Sequence, residues 1–226
     1  MTQSTLTRHA PHAPRVALCV SVVALLLSGC VSRVEHVAVN TGFPSPVVEP
    51  LPLRMGLHLP GELRDYTHKE TIPGHSTWSF ELGAANQSLF EPLFSAMFRD
   101  VVLTDSRTPG NGNGAFDGVL EPHLERFEFD MPRGRDTRFA EVWLQYRVHL
   151  YSPDGRLLAD WPVTGYGKSR ASGTMPRRAL RDATVRAMRD AGASISIRFG
   201  AEPAVADWLR DIDNGRAILG SVGETS

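Results

Sequence analysis

The fold class this sequence predicts is α+β: a two-layer sandwich, mostly antiparallel sheet with two main helices on one face. Three observations predict it. Apolar and polar residues alternate through the long hairpin "AEVWLQYRVHLYSPDGRLLADWPVTGYGKS", which is the period of half-buried strands. The stretches "SLFEPLFSAMFRDVV" and "RRALRDATVRAMRDAGASISIRF" repeat their apolar residues at helical spacing, so each offers one stripe to a sheet. The order along the chain is strand, strand, helix, strand, hairpin, helix, which suits helices packed on a sheet.

The chain has 226 residues, which suits one domain with appendages. With 42% hydrophobic and 22% charged residues it has the composition of a folded protein. Its 24 basic and 25 acidic residues nearly cancel, so no global field recruits nucleic acid.

The N-terminus reads as a targeting segment. Arg8 and Arg15 form a positive region with no acid before Cys30, and Val16 to Leu27 form a twelve-residue apolar run. That run is too short for a permanent helical span, which needs about 20 residues. The run ends in Leu27-Ser28-Gly29-Cys30, which resembles a bacterial lipobox. The resemblance implies that Cys30 is lipidated and becomes the first residue of the mature chain. Val31 follows where an aspartate would resemble an inner-membrane retention signal, which points to the periplasmic face of the outer membrane.

Four regions follow from this reading: a lipoprotein signal peptide over 1–29, a lipidated cysteine and Pro-rich tether over 30–52, a globular α+β domain over 53–210, and a flexible C-terminal tail over 211–226. Removing 1–29 leaves 22 basic and 25 acidic residues and discards Cys19. With Cys30 acylated, no thiol remains for a disulfide, a thiolate metal site or a nucleophile. Pro44, Pro46, Pro50 and Pro52 favour an extended spacer.

Within the domain, "LRMGLHL" places Leu53, Met55, Leu57 and Leu59 on one strand face, and Pro60-Gly61 ends it. A polar loop is expected through Gly74, then a strand in "TWSFEL". The first helix is expected to start at Ser88, where Ser88 and Glu91 fit a capping box and Pro92 is tolerated in the first turn. "SRTPGNGNGAFDG" reads as a loop rather than a phosphate cradle. "FDGVLEPHLERFEF" reads as a strand bulged or broken at Pro122, better suited to an edge than a centre. Ser152-Pro153-Asp154-Gly155 makes the hairpin turn. Small residues such as Ala183, Ala187 and Ala191 on the second helix allow a close approach to the sheet, and "EPAVADWL" closes the domain as a short helix that carries Trp208.

Catalytic signatures are lacking. His58, His68, His75, His123 and His149 show neither HExxH nor another paired ligand spacing, so no metal site is expected. No G-x-S-x-G elbow occurs. "GYGKS" fails as a P-loop because Pro162 stands where the first glycine belongs. Glu125 and Glu128 read as strand and loop charges. No catalytic residue and no cofactor beyond the covalent lipid on Cys30 are expected.

Behind a lipobox and a proline-rich stretch, this layout resembles small envelope lipoproteins of the YajG kind and, more remotely, accessory lipoproteins of export and assembly systems such as PelC and CsgG. The resemblance implies an accessory lipoprotein held to the membrane through its anchor; the bulky groups on both faces of the hairpin make an exposed sheet face around Trp143, Tyr151 and Trp161 the expected docking surface for an envelope protein, in a non-enzymatic role. The alternative is a periplasmic module that holds a lipid or glycan between helix and sheet. Oligomeric state is not legible.

Overall fold

The structure is a computed structural model. It describes residues 34–39, 42–73, 76–109, 116–131, 138–171 and 176–223, with side chains described as far as Gly215. The expected signal segment, 1–29, and Cys30 lie outside the described residues.

Eight strands occur among these residues: β1 (Val34–Ala38), β2 (Leu51–His58), β3 (Thr67–Thr71), β4 (Thr77–Glu81), β5 (Phe98–Thr104), β6 (Gly118–Asp130), β7 (Phe139–Tyr151) and β8 (Leu157–Arg170). The helices are a single turn α1 (Gly61–Arg64), α2 (Gly83–Met97), α3 (Pro176–Arg198) and α4 (Pro203–Gly223), with a 3₁₀ turn at Phe199–Ala201. The strands make two sheets, ordered β1-β4-β3 and β5-β2-β6-β7-β8.

The α+β class holds, but both sheets are mixed rather than mostly antiparallel. β1 runs parallel to β4, and β2 runs parallel to both β5 and β6. Only the β3–β4, β6–β7 and β7–β8 ladders are antiparallel. A parallel pair needs a long crossover, and the chain supplies one between β2 and β5 through α1, β3, β4 and α2. The simple two-layer description gives way to a five-stranded sheet with a separate three-stranded sheet, which the sequence reading did not foresee.

The hairpin forms as its alternation dictates. Val142, Leu144, Tyr146, Val148 and Leu150 are buried on one face of β7, and the turn places Gly155 at φ +88, a left-handed conformation that favours glycine. α3 packs across the buried face of β8. A Cβ on Gly165 would lie 2.1 Å from the Ala187 carbonyl oxygen, and one on Gly167 would lie 1.9 Å from that of Ala183. Strand and helix backbones therefore touch, with Ala183, Ala187 and Ala191 filling the seam. At the outer edge of β8, the Tyr166 backbone N–H donates to Asp190 Oδ2 of α3 at 3.0 Å, which occupies an otherwise open edge donor.

α2 begins at Gly83, five residues before the expected Ser88, so Pro92 lies inside the helix. Its apolar side buries Leu89, Phe90, Leu93, Phe94 and Met97. Asn86 sits fully inside: its Nδ2 donates to the Leu63 carbonyl at 3.0 Å, and the Tyr146 hydroxyl donates to its Oδ1 at 2.7 Å. Burial pushes the Tyr146 pKa well above the ordinary phenol value. The segment from Phe98, expected to continue the helix, turns instead into β5.

Pro122 stands in β6 opposite Val148. β6 is a central strand, yet β2 pairs with it only from Gly118 to Leu120. At Pro122 the β2 side has already ended, so the missing donor interrupts no ladder there. The irregularity in β6 falls between Leu124 and Arg126 rather than at the proline.

The two ends of the chain differ from expectation. The stretch expected as a tether contains β1, which pairs with β4 and buries Val37, and Val39 and Phe43 are buried beyond it. Polar Thr67–Thr71, expected in a loop, forms edge strand β3. At the other end α4 continues through Gly223, where a loose tail from 211 was expected. Val205 and Trp208 close this helix onto the core. No helix among the described residues is long and apolar enough to cross a membrane.

Candidate functional site

The residues on β7 that alternate with the core set point away from the helices. Trp143, Gln145, Arg147 and His149 occupy this outward face. On β8 it carries Asp160, Thr164, Tyr166 and Lys168. Cross-strand register makes neighbours of residues far apart in sequence: Glu121 faces His149, His123 faces Arg147, His149 faces Asp160, and Trp143 stands between Glu128 and Tyr166.

Two constellations result. The first gathers three histidines around one carboxylate. Glu121 is only 3% exposed, which is unusual for a glutamate without partners. His58 Nδ1 contacts its Oε2 at 2.5 Å, and His123 Nε2 contacts its Oε1 at 2.8 Å. His149 Nδ1 stands 3.9 Å from the same Oε1. On its far side His123 Nδ1 meets Glu62 Oε1 at 2.8 Å, and His149 Nε2 lies 4.0 Å from Asp160 Oδ2.

Electrostatics follow from these contacts. Burial pushes the Glu121 pKa up, but hydrogen bonds from His123 and His58 outweigh it and hold the carboxyl down at about 2. Glu121 is thus an acceptor, and both His123 nitrogens face carboxylates as donors. The Glu121 hydrogen bond raises the His123 pKa against the opposing effect of burial, with Glu62 adding to the rise. Burial, helped by the nearby His123, lowers that of His149. Arg147 borders the cluster, with its Nε 2.5 Å from Glu125 Oε1 and its Nη1 2.9 Å from Asp160 Oδ2.

The second constellation is aromatic. Trp143 and Tyr166 are 42% and 40% exposed, and their ring centroids lie 5.4 Å apart. They border a groove of about 450 Å³ whose remaining wall includes Arg126, Glu128, Thr164 and Asp190. Phe139, also exposed, extends the aromatic surface along β7, with the Lys168 ammonium 4.5 Å above its ring.

Of the three aromatics expected to dock a partner, the structure leaves only Trp143 available. Tyr151 is on the expected face but 6% exposed. Arg107 covers it, stacking on its ring and donating to its hydroxyl at 3.2 Å. Trp161 faces the opposite way, 5% exposed and packed edge-on against Phe199 in the core. A register shift between Leu150 and Tyr151 sends the odd-numbered residues of β8 toward the helices, and the glycines that must meet α3 are odd-numbered too. Tyr166 is the partner that the sequence reading missed: plain counting back from the turn does not pair it with Trp143, and the register shift near the turn does.

The expectation that no histidines converge is overturned. Spacing within one segment could not reveal the cluster, because His58, His123 and His149 come from three strands. Only the period-2 spacing of Glu121 and His123 was visible, and it places both on one strand face.

No protein-family model matches the chain, and no curated protein matches it. Solved structures do. A protein from Xanthomonas campestris of the family DUF330 superposes with a TM-score of 0.51 at 13% identity, covering 79% of this chain and 99% of its own. A minor lipoprotein from Acinetobacter baumannii superposes with a TM-score of 0.41 at 10% identity, covering 68% of this chain and 94% of its own. The chain shares the fold of the Xanthomonas protein, and at such identity the likeness concerns the fold alone.

Proposed function

We propose that the chain is a lipoprotein anchored through Cys30 at the periplasmic face of the outer membrane, where it serves as a non-enzymatic accessory subunit of an envelope transport or assembly system. The lipobox residues support the anchor. The observation that carries the docking role is the exposed Trp143–Tyr166 pair beside its groove. An aromatic centre with a polar rim is the anatomy of a protein interface, and large exposed apolar groups in contact on a soluble face mark interaction sites. The occupant is an envelope protein whose apolar side chain fills the groove while its polar groups meet Arg126, Glu128 and Asp190. This arrangement favours a protein partner over a lipid or glycan held between helix and sheet, because at Gly165 and Gly167 the α3 and β8 backbones touch and leave no room for a ligand.

Photo-crosslinking in native membranes tests the reading. With a photoreactive residue at position 143 or 166 of the full, lipidated chain, the expected result is the same envelope protein captured from both positions. Exposed Ile197, placed on α3, should not capture it. Capture of lipid alone, of nothing, or of the same protein equally from position 197 would overturn the docking surface. Absence of acyl chains on Cys30 by mass spectrometry would overturn the anchor.

A further inference from the structure

The His58–Glu121–His123–His149 cluster lies apart from the aromatic groove and has no part in the docking proposal. We propose that Glu121, His123 and His149 form a binding site for a divalent first-row transition ion of the zinc class. Glu121, His123 and His149 converge from two adjacent strands, each offering a ligand atom within 4.8 Å of the others, with His123 Nε2 at 2.8 Å and His149 Nδ1 at 3.9 Å from Glu121 Oε1. Donor atoms around a tetrahedral zinc ion stand about 3.3 Å apart, given metal–ligand bonds of about 2.0–2.1 Å. The shortest separation here is 2.8 Å and the others are longer, so shifts of under about 1 Å per ligand bring the set onto an ion.

The donor types suit such an ion. Two imidazoles and one carboxylate, with a position left open, form a set that selects zinc or its first-row neighbours over magnesium and calcium, which favour all-oxygen sites. The outer groups are of the kind a metal site uses: one histidine is hydrogen-bonded to a carboxylate, and a second carboxylate stands near the other. A ligating histidine generally gives its remaining N–H to a carboxylate, which fixes the ring and raises its basicity. His123 directs its outer nitrogen to Glu62, and His149 directs its own toward Asp160. His58 holds the second oxygen of Glu121 and so orients the first.

Access is also built in. A cavity of about 320 Å³ opens beside the cluster, bordered by Glu62, Tyr66, His123, Glu125, Arg147 and His149. The ion can enter there, and its fourth position can hold water. On binding, the proton that His123 Nε2 donates to Glu121 leaves to solvent and the ion takes its place; the Nδ1 proton stays on the ring and is donated to Glu62.

The test uses the full chain in detergent, without a histidine tag and stripped with a chelator. Zinc is added in equilibrium dialysis, and cobalt(II) serves as the spectroscopic probe. The expected result is one site with micromolar or tighter affinity for zinc and an intense tetrahedral cobalt spectrum that zinc abolishes. In the His123→Gln/His149→Gln double variant, affinity at that site should fall at least about 100-fold, and Glu62→Gln should weaken it about 10-fold or more. Glu121→Gln removes a buried charge and can unfold the chain, so the half-exposed histidines carry the test. Absence of a tight site would overturn the proposal, as would a weak octahedral cobalt spectrum or unchanged binding in a folded double variant. The last result would place the ion elsewhere.

Discussion

On the helix side of β7 and β8, Val142, Leu144, Tyr146 and Val148 meet Trp161, Val163, Gly165 and Gly167 in a packed layer under α2 and α3. One residue away along the same strands, the outward side carries Trp143, Arg147, His149, Asp160 and Tyr166, joined by Glu121 and His123 of β6. The inner side is specified by volume: a strand backbone and a helix backbone meet where a single methyl would not fit. The outer side is specified by pairing, since its charged groups meet partners within the sheet and, at Glu62, on α1. Strand alternation produced both faces, yet substitutions should act on them in different terms, as lost stability inside and lost binding outside.

The largest effect should come from Gly167→Val. Its side chain would run into the Ala183 carbonyl and the Ala187 backbone nitrogen, and neither can retreat without moving α3. Loss of more than about 4 kcal/mol, or failure to fold, is expected in chemical denaturation. A stable Gly167→Val protein would show that α3 does not rest on the strand backbone.

Next is Val39→Asp. Val39 is fully buried just beyond β1, and an unpaired charge there should cost about 3 kcal/mol or more. An unchanged melting temperature would restore the picture of a free tether and detach β1 from the inner layer.

Tyr146→Phe should be smaller, about 1–3 kcal/mol, because it leaves the buried Asn86 Oδ1 without its donor. A double-mutant cycle of Tyr146→Phe with Asn86→Ala should show coupling between the two residues if their hydrogen bond is the cause. At the low end, Trp143→Ala and Tyr166→Ala should move stability within about 0.5 kcal/mol, as exposed sites do, while abolishing partner capture. Equal losses from the inner and outer substitutions would erase the distinction between the faces.

Much of the inner face could be read from the sequence. The strand alternation from Val142 to Leu150, the Ala-rich stripe of α3 and the turn ending at Gly155 are strictly local patterns, and each appears where its period puts it. Three strands escaped for physical reasons. β5 was hidden because Phe98 and Val101 continue the apolar spacing of α2, and only the change in backbone direction separates them. β3 has almost no apolar face, since it is an edge strand held through backbone bonds to β4. β1 was masked by the prolines that follow it. The outer face was less legible: Trp143 could be assigned from alternation, but Trp161 could not, because one irregular residue near the turn inverts every later side chain of β8. The histidine cluster required knowing that β2 lies beside β6, which no local period encodes.

Incorporating β1 into a sheet also shortens the leash that the proposed anchor would provide. With the anchor at Cys30, as proposed, only residues 31–33 would separate the lipid from the first strand residue, Val34. A fully extended chain covers at most about 14 Å over that interval, against the several tens of Å that a free spacer of some 20 residues would span. A lipidated chain of this kind could not search for distant targets as a buoy on a long line does. Its partner would have to come to the membrane surface, and lengthening the link by inserting Gly-Ser residues after Val31 would measure how strictly that height is set.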